Sequence, residues 1–237
     1  AVMAASLLAG CGGGNKPAET TAAPAAAETT AAAADTTAAP EKSEAETEAE
    51  AKDDAASGDL IVVGYAQVGA ESDWRTANTE SFKSTFTEEN GYKLIFDDAQ
   101  QKQENQIKAI RSFIQQDVDY IVVAPVVETG WEAVLQEAQE AGIPVILSDR
   151  QMDVDESLYE CWVGGNFIKE GETAGNWLAD YLKAQGRDGE DINIVTLQGT
   201  IGASAQVGRT EGFGNILKQH DNWKMLDMQT GEFTQAK

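Results

Sequence analysis

Short apolar runs alternate with helical patterns from residue 60 to the end of the chain. Runs rich in Val, Ile and Leu predict buried β-strands over residues 60–66, 92–96, 120–124, 143–148, 158–164, 193–197 and 225–228. Between them, apolar residues recur at helical spacing over residues 74–89, 103–115, 131–141, 166–183 and 204–219. Strict alternation of apolar strands and helices predicts an α/β fold, with parallel sheets covered by helices on both faces. In such sheets the ligand lies beyond the C-terminal ends of the strands.

The segment 12–58 has a different composition from the rest of the chain. It consists almost entirely of Ala, Thr, Glu, Pro, Lys, Asp and Gly, and it contains no Val, Ile, Leu, Phe, Tyr or Trp. Such a segment cannot bury enough apolar surface to offset the entropy lost on ordering. We therefore predict a disordered linker over residues 12–58.

A short apolar run, followed by a cysteine, precedes this linker. The tetrapeptide Leu8-Ala9-Gly10-Cys11 resembles the lipobox of bacterial lipoproteins. The resemblance implies that residues 1–11 are the remnant of a signal peptide with its lipobox, and that Cys11 carries the lipid. The alternatives are a stray cysteine and a membrane-spanning helix, and the run is too short for the latter.

The formal net charge of −23 bears on the partners of the protein. Binding to nucleic acid requires clustered Lys and Arg, so a nucleic-acid partner is not expected. Cys161, the other cysteine, falls in an apolar, strand-like run. We do not pair it with Cys11, and we expect it to be a small buried core residue.

The segments that follow the predicted strands carry the candidate binding residues. Binding a sugar requires aromatic rings against its C–H face and planar hydrogen-bonding groups for its hydroxyls. Trp74, Arg75, Asp149, Arg150 and Arg209 supply these groups at the predicted ligand edge of the sheets. Taken singly, Asp149 and Arg150 could form only a salt bridge, and Trp74 could be a core residue.

The sequence offers little for catalysis or metal binding. One His and two separated Cys do not make a zinc site, and no G-x-S-x-G motif is present. Gly199 and Gly202 lack the Lys-Ser/Thr pair of a phosphate-binding loop. Asp153, Asp155 and Glu156 could bind calcium, but a solvated loop is the favoured interpretation. We expect no enzymatic activity, no cofactor and no metal.

Five segments carry a resemblance to a known family. They are VGYAQVGAESDWRTANTESF, DDAQQKQENQIKAIRSFI, IVVAPVVETGWEAVL, IPVILSDRQMD and LQGTIGASAQVGRTEGF. They resemble the sugar-binding proteins of the ribose/galactose type, the type I periplasmic binding proteins, and within these the galactofuranose-binding branch. The likeness extends over nearly all of residues 60–237. It implies two Rossmann-like lobes with parallel sheets that close on a sugar about a hinge.

The resemblance also implies a set of ligand-binding residues, which are Gln67, Glu71, Trp74, Arg75, Asp149, Arg150, Asn166, Arg209 and Phe233. In this set, Trp74 stacks on one face of the sugar, and Phe233, at the start of a later helix, covers the other. Asp149 and Arg150 hold ring hydroxyls. Asn166 lies at the first crossing between the lobes, and Arg209 is the arginine of the second lobe.

The resemblance divides residues 59–237 into an N-terminal lobe, residues 59–165, and a partial second lobe, residues 166–237. Members of the family continue for about a hundred further residues, as two domains of typical size require. We therefore expect a truncated second lobe with exposed apolar surface and unpaired strand edges.

The function implied is capture of a monosaccharide outside the membrane, best matched by galactofuranose or galactose. A lipid-anchored monomer would deliver this sugar to the membrane permease of an ABC importer. Ribose or arabinose is the alternative ligand, and presentation of the sugar to a membrane sensor is the alternative role. A DNA-binding regulator is disfavoured because a lipobox and an acidic linker occupy the place of its DNA-binding head. A glycan-processing enzyme would need a facing pair of carboxylates, and no such pair is identified.

Overall fold

The computed structural model describes residues 60–236. The lipobox, Cys11 and the linker 12–58 lie outside the described residues, so these features stay predictions. Within the described range, no helix combines the length and the apolar character needed to cross a membrane.

A five-stranded parallel sheet forms the first lobe. Its strands are β1 (Ile61–Gln67), β2 (Tyr92–Asp98), β3 (Tyr120–Val123), β4 (Val145–Ser148) and β5 (Cys161–Val163). Their order in the sheet is β2-β1-β3-β4-β5, and every neighbouring pair is parallel. The predicted α/β class with a parallel sheet is therefore confirmed.

Helices cover both faces of this sheet, because its strands are apolar on both sides. The helices are α1 (Asp73–Thr85), α2 (Gln103–Gln115) and α3 (Glu132–Glu140), with 3-10 turns at Glu88–Asn90 and Glu156–Leu158. On one face, Phe82 of α1 stacks on Tyr65 of β1 with 4.1 Å between ring centroids. On the other face, α2 and α3 pack Phe113 and Leu135 against the strands. The sheet thus forms the middle layer of a three-layer lobe.

We call the part of the chain after β5 the second lobe. It contains α4 (Phe167–Ala184), β6 (Ile192–Gln198), α5 (Ser204–Leu217) and β7 (Trp223–Thr230), and β6 and β7 form a two-stranded parallel sheet. The helices α4 and α5 lie in close contact at glycines. A methyl group at Gly171 would collide with the carbonyl oxygen of Arg209, and one at Gly212 with that of Ile168. This close packing fixes the position of Arg209 relative to α4. The predicted lobe boundaries at residues 165 and 166 fall between β5 and α4 and stay a prediction.

One side of the second lobe exposes apolar side chains. Val195 and Leu197 of β6 are 72% and 73% exposed, and Trp177 of α4 is also exposed. These residues border a groove of about 740 Å³ between α4, α5 and the two-stranded sheet. The exposed apolar surface that we predicted for this lobe is therefore present.

The prediction that Cys161 is a buried core residue is wrong. Cys161 is an exposed free cysteine at the start of β5. In the described sheet β5 is the edge strand and is only three residues long, so its outer side has no neighbouring strand. The strand predicted over residues 158–164 is also shorter than expected, because Leu158 ends the 3-10 turn.

Candidate functional site

The first turn of α1 places two of the predicted ligand residues side by side. Ser72 caps the helix, and its hydroxyl accepts from the backbone N–H of Arg75 at 3.2 Å. Trp74 is 57% exposed, whereas Arg75 is buried. The guanidinium carbon of Arg75 lies 4.8 Å from the centre of the Trp74 ring. The turn therefore presents an open aromatic face beside a buried cation.

Two carboxylates hold the Arg75 guanidinium. Its Nη2 donates to Asp149 Oδ2 at 2.7 Å, and its Nε donates to Glu71 Oε1 at 3.1 Å. Asp149 follows β4 and Glu71 precedes α1, so both come from the C-terminal edge of the sheet. Because three groups hold each other, the orientation of Arg75 is set before any ligand binds.

The backbone at Asp149 is held in an unusual conformation. Its φ is 64°, in the left-handed region that few residues other than Gly, Asn and Asp adopt. Two contacts with the next strand fix it. The Asp149 N–H donates to the carbonyl of Val163 at 2.8 Å, and Trp162 Nε1 donates to the carbonyl of Asp149 at 3.1 Å. This conformation directs the Asp149 side chain toward Arg75.

Arg150 is the second buried cation of the site. Its Nη1 donates to the carbonyl of Val126 at 3.2 Å, and its Nη2 lies 3.5 Å from Glu71 Oε1. Burial and the positive charge of Arg75 lower the pKa of Arg150 to about 10, and the charges of Glu71 and Asp149 oppose that shift. The charge of Arg209 also lowers the pKa of Arg150, so the second-lobe arginine is within electrostatic reach.

Phe233, from the second lobe, contacts Arg150. The guanidinium carbon of Arg150 lies 5.1 Å from the centre of the Phe233 ring. The ring also rests against Gly199, where an added methyl group would collide with it. Phe233 lies in a turn after β7 with a φ of 60°, and residues 231–236 contain no helix. The structure thus brings Phe233 to the site but does not place it at the start of a helix.

Arg209 and Asn166 lie at the margin of this cluster. Arg209 Nε donates to Glu170 Oε2 at 2.8 Å, and its guanidinium lies 5.1 Å from the ring of Phe167. Asn166 caps α4, where its Oδ1 accepts from the Lys169 N–H at 2.9 Å. Asn166 lies between β5 and α4, and its side chain is engaged in the helix cap, so its role at the crossing between the lobes stays a prediction.

Gln67 is not free to face a ligand. It is fully buried, and its Nε2 donates to Asn78 Oδ1 at 2.9 Å and to Thr79 Oγ1 at 3.0 Å. Its Oε1 accepts from the Val68 N–H at 3.0 Å. These bonds join the end of β1 to α1, so the side chain supports the loop that carries Glu71.

Two hydrogen bonds join the lobes directly. The Gln151 N–H donates to Ser204 Oγ at 2.9 Å, and the Glu128 N–H donates to the carbonyl of Gly202 at 2.9 Å. A cavity of about 270 Å³ lies beside them, between Trp162 and Asn166 on one side and α5 on the other. The part of the chain after β5 thus contacts the five-stranded-sheet lobe through these bonds.

Sequence reasoning missed Gln106, which holds the backbone at the ends of β1 and β3. Gln106 is fully buried, and its Nε2 donates to the carbonyls of Ala66 and Ala124 at 3.1 and 2.7 Å. Its Oε1 accepts from the Val126 N–H at 2.9 Å. The signal was a polar residue on the apolar face of α2, one turn before Ile110. The contact made by Ser204 was also missed, and Gly199 was considered only as part of a phosphate-binding loop, not as a neighbour of Phe233.

The structure thus gathers Glu71, Trp74, Arg75, Asp149, Arg150 and Phe233 into one cluster between the lobes. The cluster offers an aromatic face, two guanidinium groups and two carboxylates, which suits a ligand rich in hydroxyl groups. Within residues 60–236, no group of three or more His, Cys, Asp or Glu is arranged to hold a metal ion.

Comparison with known proteins gives a consistent set of relatives. Residues 61–237 match the family model described as a periplasmic binding protein domain. The galactofuranose-binding protein YtfQ of Escherichia coli (strain K12) is 49% identical over 178 residues, which are 75% of this chain and 54% of that protein. A crystal structure from Mycobacterium smegmatis in complex with β-D-fucofuranose is 52% identical, with a TM-score of 0.69, over 74% of this chain and 57% of that one.

A third relative is the periplasmic binding protein component of the arabinose ABC transporter from Shewanella sp. ANA-3, bound to α- and β-L-arabinofuranose. It is 49% identical, with a TM-score of 0.67, over 74% of this chain and 56% of that one. The chain spans about half the length of the curated relatives it matches, for example 54% of the E. coli protein. The match over residues 61–237 and the shared fold identify the chain as a member of the periplasmic binding protein family, with the type I α/β fold that its sequence predicted.

Proposed function

We propose that this protein binds a monosaccharide in its furanose form, with galactofuranose as the first candidate. The observation that carries the proposal is the ion pair between buried Arg75 and partly exposed Asp149 beside the open ring of Trp74. A sugar has an apolar C–H face and several hydroxyls, which match an aromatic surface and adjacent guanidinium and carboxylate groups. The furanose form is supported by three relatives whose names state a galactofuranose, a fucofuranose and an arabinofuranose.

In this proposal the ring of Trp74 stacks on the sugar, and Arg75, Asp149 and Arg150 bond its hydroxyls. Phe233 and Arg209 approach from the second lobe. Glu71 and Gln67 act behind these residues, since both side chains are buried. Asn166 serves the crossing between the lobes.

The transport role extends the same proposal. The protein delivers its sugar to the permease of an ABC importer, and Cys11 holds it at the outer side of the membrane through lipid, with the linker 12–58 as a tether. It acts as a monomer and catalyses no reaction. Labelling of cells with a radioactive fatty acid tests the anchor, since Cys11→Ala should abolish the label.

A thermal-shift screen of the full-length protein tests the ligand. D-galactose, which equilibrates partly to the furanose, is compared with L-arabinose, D-ribose and D-fructose. A ligand bound only by the folded state raises the melting temperature in proportion to RT ln(1 + [L]/Kd). We expect a shift with D-galactose that Trp74→Ala and Asp149→Ala remove. The absence of a shift with every sugar contradicts the proposal.

Arabinose is the second candidate ligand, because one relative at 49% identity is named for arabinose transport. The same screen separates the two candidates. A larger shift with L-arabinose than with D-galactose at equal concentration favours arabinose.

A further inference from the structure

Glu71 lies at the centre of the buried charges of the site. Its side chain is 2% exposed, and its Oε1 faces both Arg75 Nε at 3.1 Å and Arg150 Nη2 at 3.5 Å. The two guanidinium groups come from α1 and from the segment after β4. Glu71 forms an ion pair with both of them, whereas Asp149 pairs with Arg75 and acts on Arg150 through its charge alone. One carboxylate thus sets the spacing of two cations.

The charges of this cluster balance. Arg75 and Arg150 contribute two positive charges, and Glu71 and Asp149 contribute two negative charges. The Arg75 and Arg150 side chains are each 3% exposed, so solvent screens them weakly. Without Glu71, the cluster would carry one net positive charge, on two guanidinium groups that are almost out of contact with water.

The remaining hydrogen-bonding groups point the same way. In residues 60–236, two buried side-chain atoms lack a partner, Arg75 Nη1 and Glu71 Oε2. Both atoms are enclosed, so they belong to the interior of the cluster and are not offered to a ligand directly. A carboxylate or phosphate ligand would find no net positive charge in this cluster to attract it, whereas a neutral hydroxyl can bond to donors and acceptors alike.

We propose that Glu71 is a positioning and specificity-determining residue, whose buried carboxylate aligns Arg75 and Arg150 and cancels one of their charges, so that the site selects neutral sugars over the corresponding sugar acids. The inference rests on the proposed function and adds to it the basis of selection by charge. Glu71 acts through the two arginines, so it is not proposed as a direct contact of the sugar.

The test compares D-galactose with D-galacturonate, which has a carboxylate where galactose has its CH₂OH group. Binding of both to the full-length protein is measured by calorimetry at neutral pH. The unchanged protein should bind the neutral sugar at least about tenfold more tightly than the acid, since repulsion between like charges weakens binding by this order or more. Equal or tighter binding of D-galacturonate would overturn the inference, and this comparison needs no variant.

Glu71→Gln then separates charge selection from structural support. We expect weaker binding of D-galactose together with a ratio of neutral to acidic affinity that falls about tenfold. Glu71→Asp keeps the charge and should keep the ratio, although the shorter side chain weakens both affinities. An equal loss for both ligands in Glu71→Gln would assign Glu71 a structural role only and would reject the inference.

Glu137→Gln is the matched control, because it removes the same charge from an exposed ion pair with Arg111. Neither affinity should change in this variant. If the unchanged protein binds no neutral sugar of the screen, the proposed function fails, and this inference fails with it. Sugar binding with the same selectivity in Glu71→Gln and in the unchanged protein would contradict this inference alone.

Discussion

Arg75 Nη2 donates to Asp149 Oδ2 at 2.7 Å, a contact between residues 74 positions apart in the chain. It joins the first turn of α1 to the segment after β4, across the C-terminal edge of the parallel sheet. Arg75 is almost fully enclosed, and the Asp149 side chain is 18% exposed. The accessible part of the pair is therefore the carboxylate, which a ligand between the lobes would reach.

Replacing Asp149 with Asn should weaken sugar binding strongly. Asn tolerates the left-handed backbone at this position, so the loop conformation is kept while the charge is lost. Arg75 then keeps only Glu71 as a charged partner. Loss of one member of a hydrogen-bonded charge pair in a binding site weakens the free energy of binding by about 2–5 kcal/mol. Calorimetric titration of the sugar measures the loss. A change in affinity below about twofold would contradict a ligand role for Asp149.

The course of the chain at this edge was predictable because the strands are apolar on both faces. Continuous apolar runs such as residues 120–124 predicted buried parallel strands. Because the C-terminal ends of parallel strands meet at one edge of the sheet, the segments that carry Arg75 and Asp149 were expected to lie near each other. The strand order was not available from these patterns, so the edge position of Cys161 and its exposure were not foreseen. Gln67 follows the predicted strand but ends β1 in the structure, and its side chain is buried against α1, because successive side chains of a strand point to opposite faces of the sheet.

Phe233 shows where such reasoning ends. Neither periodicity nor spacing indicated contact with Arg150, and only the family resemblance brought Phe233 to the ligand. Its turn conformation and its contact with Gly199 depend on tertiary packing between the end of β7 and the loop after β6.

Gly199→Ala should displace the Phe233 ring and weaken sugar binding. The added methyl group would occupy space that the ring fills, and the ring would leave the face of Arg150. We expect about a tenfold loss of affinity in calorimetry, and no further loss when Phe233→Ala is already present, because the two changes act through one contact.

Gly214→Ala serves as the control for this prediction. A methyl group at Gly214 meets no atom within 4 Å, so affinity should be unchanged and helix α5 slightly stabilised. Full additivity of Gly199→Ala and Phe233→Ala would show that Gly199 does not act through the ring.

Gln106→Met should lower the stability of the first lobe. The substitution keeps the length of the side chain but leaves the Ala124 carbonyl and the Val126 N–H without their partner, whereas the Ala66 carbonyl still accepts from the Ala124 N–H at 3.2 Å. Each buried group that loses its hydrogen bond has a cost of about 1–3 kcal/mol, so we expect a loss of about 2 kcal/mol or more in the free energy of unfolding. Urea denaturation followed by circular dichroism measures it.

Gln116→Met is the matched comparison. Gln116 lies at the exposed C-terminal end of the same helix, and its side-chain amide donates to the carbonyl and the hydroxyl of Ser112, one turn earlier. Its effect should stay within about 0.5 kcal/mol. Similar effects of the two substitutions would mean that the bonds of Gln106 contribute no more than an exposed amide.

Glu128→Gln should raise stability at neutral pH and leave it unchanged in acid. Burial, and next the charge of Asp153, raise the pKa of Glu128 above its ordinary value of 4.5. The folded state therefore binds more protons than the unfolded state between the two pKa values, and stability falls as pH rises through this window. Above the window the full cost of the charged form is present, and Gln removes it. Melting temperatures are measured from pH 3 to pH 8. That of the variant should exceed that of the unchanged protein by an increasing amount as pH rises past about 4.5.

Glu137→Gln provides a comparison of opposite sign. The hydrogen bond from Arg111 lowers the pKa of Glu137, so its charged form stabilises the fold above the unfolded pKa, and this stabilisation is lost as pH falls through the folded pKa. The variant should therefore melt slightly below the unchanged protein at neutral pH, with the difference closing in acid, because both residues are then neutral. If Glu128→Gln lowered the melting temperature at pH 7, as we expect of Glu137→Gln, the charge of Glu128 would be stabilising. That outcome would contradict the prediction, which rests on the burial of Glu128 and on the like charge of Asp153 beside it.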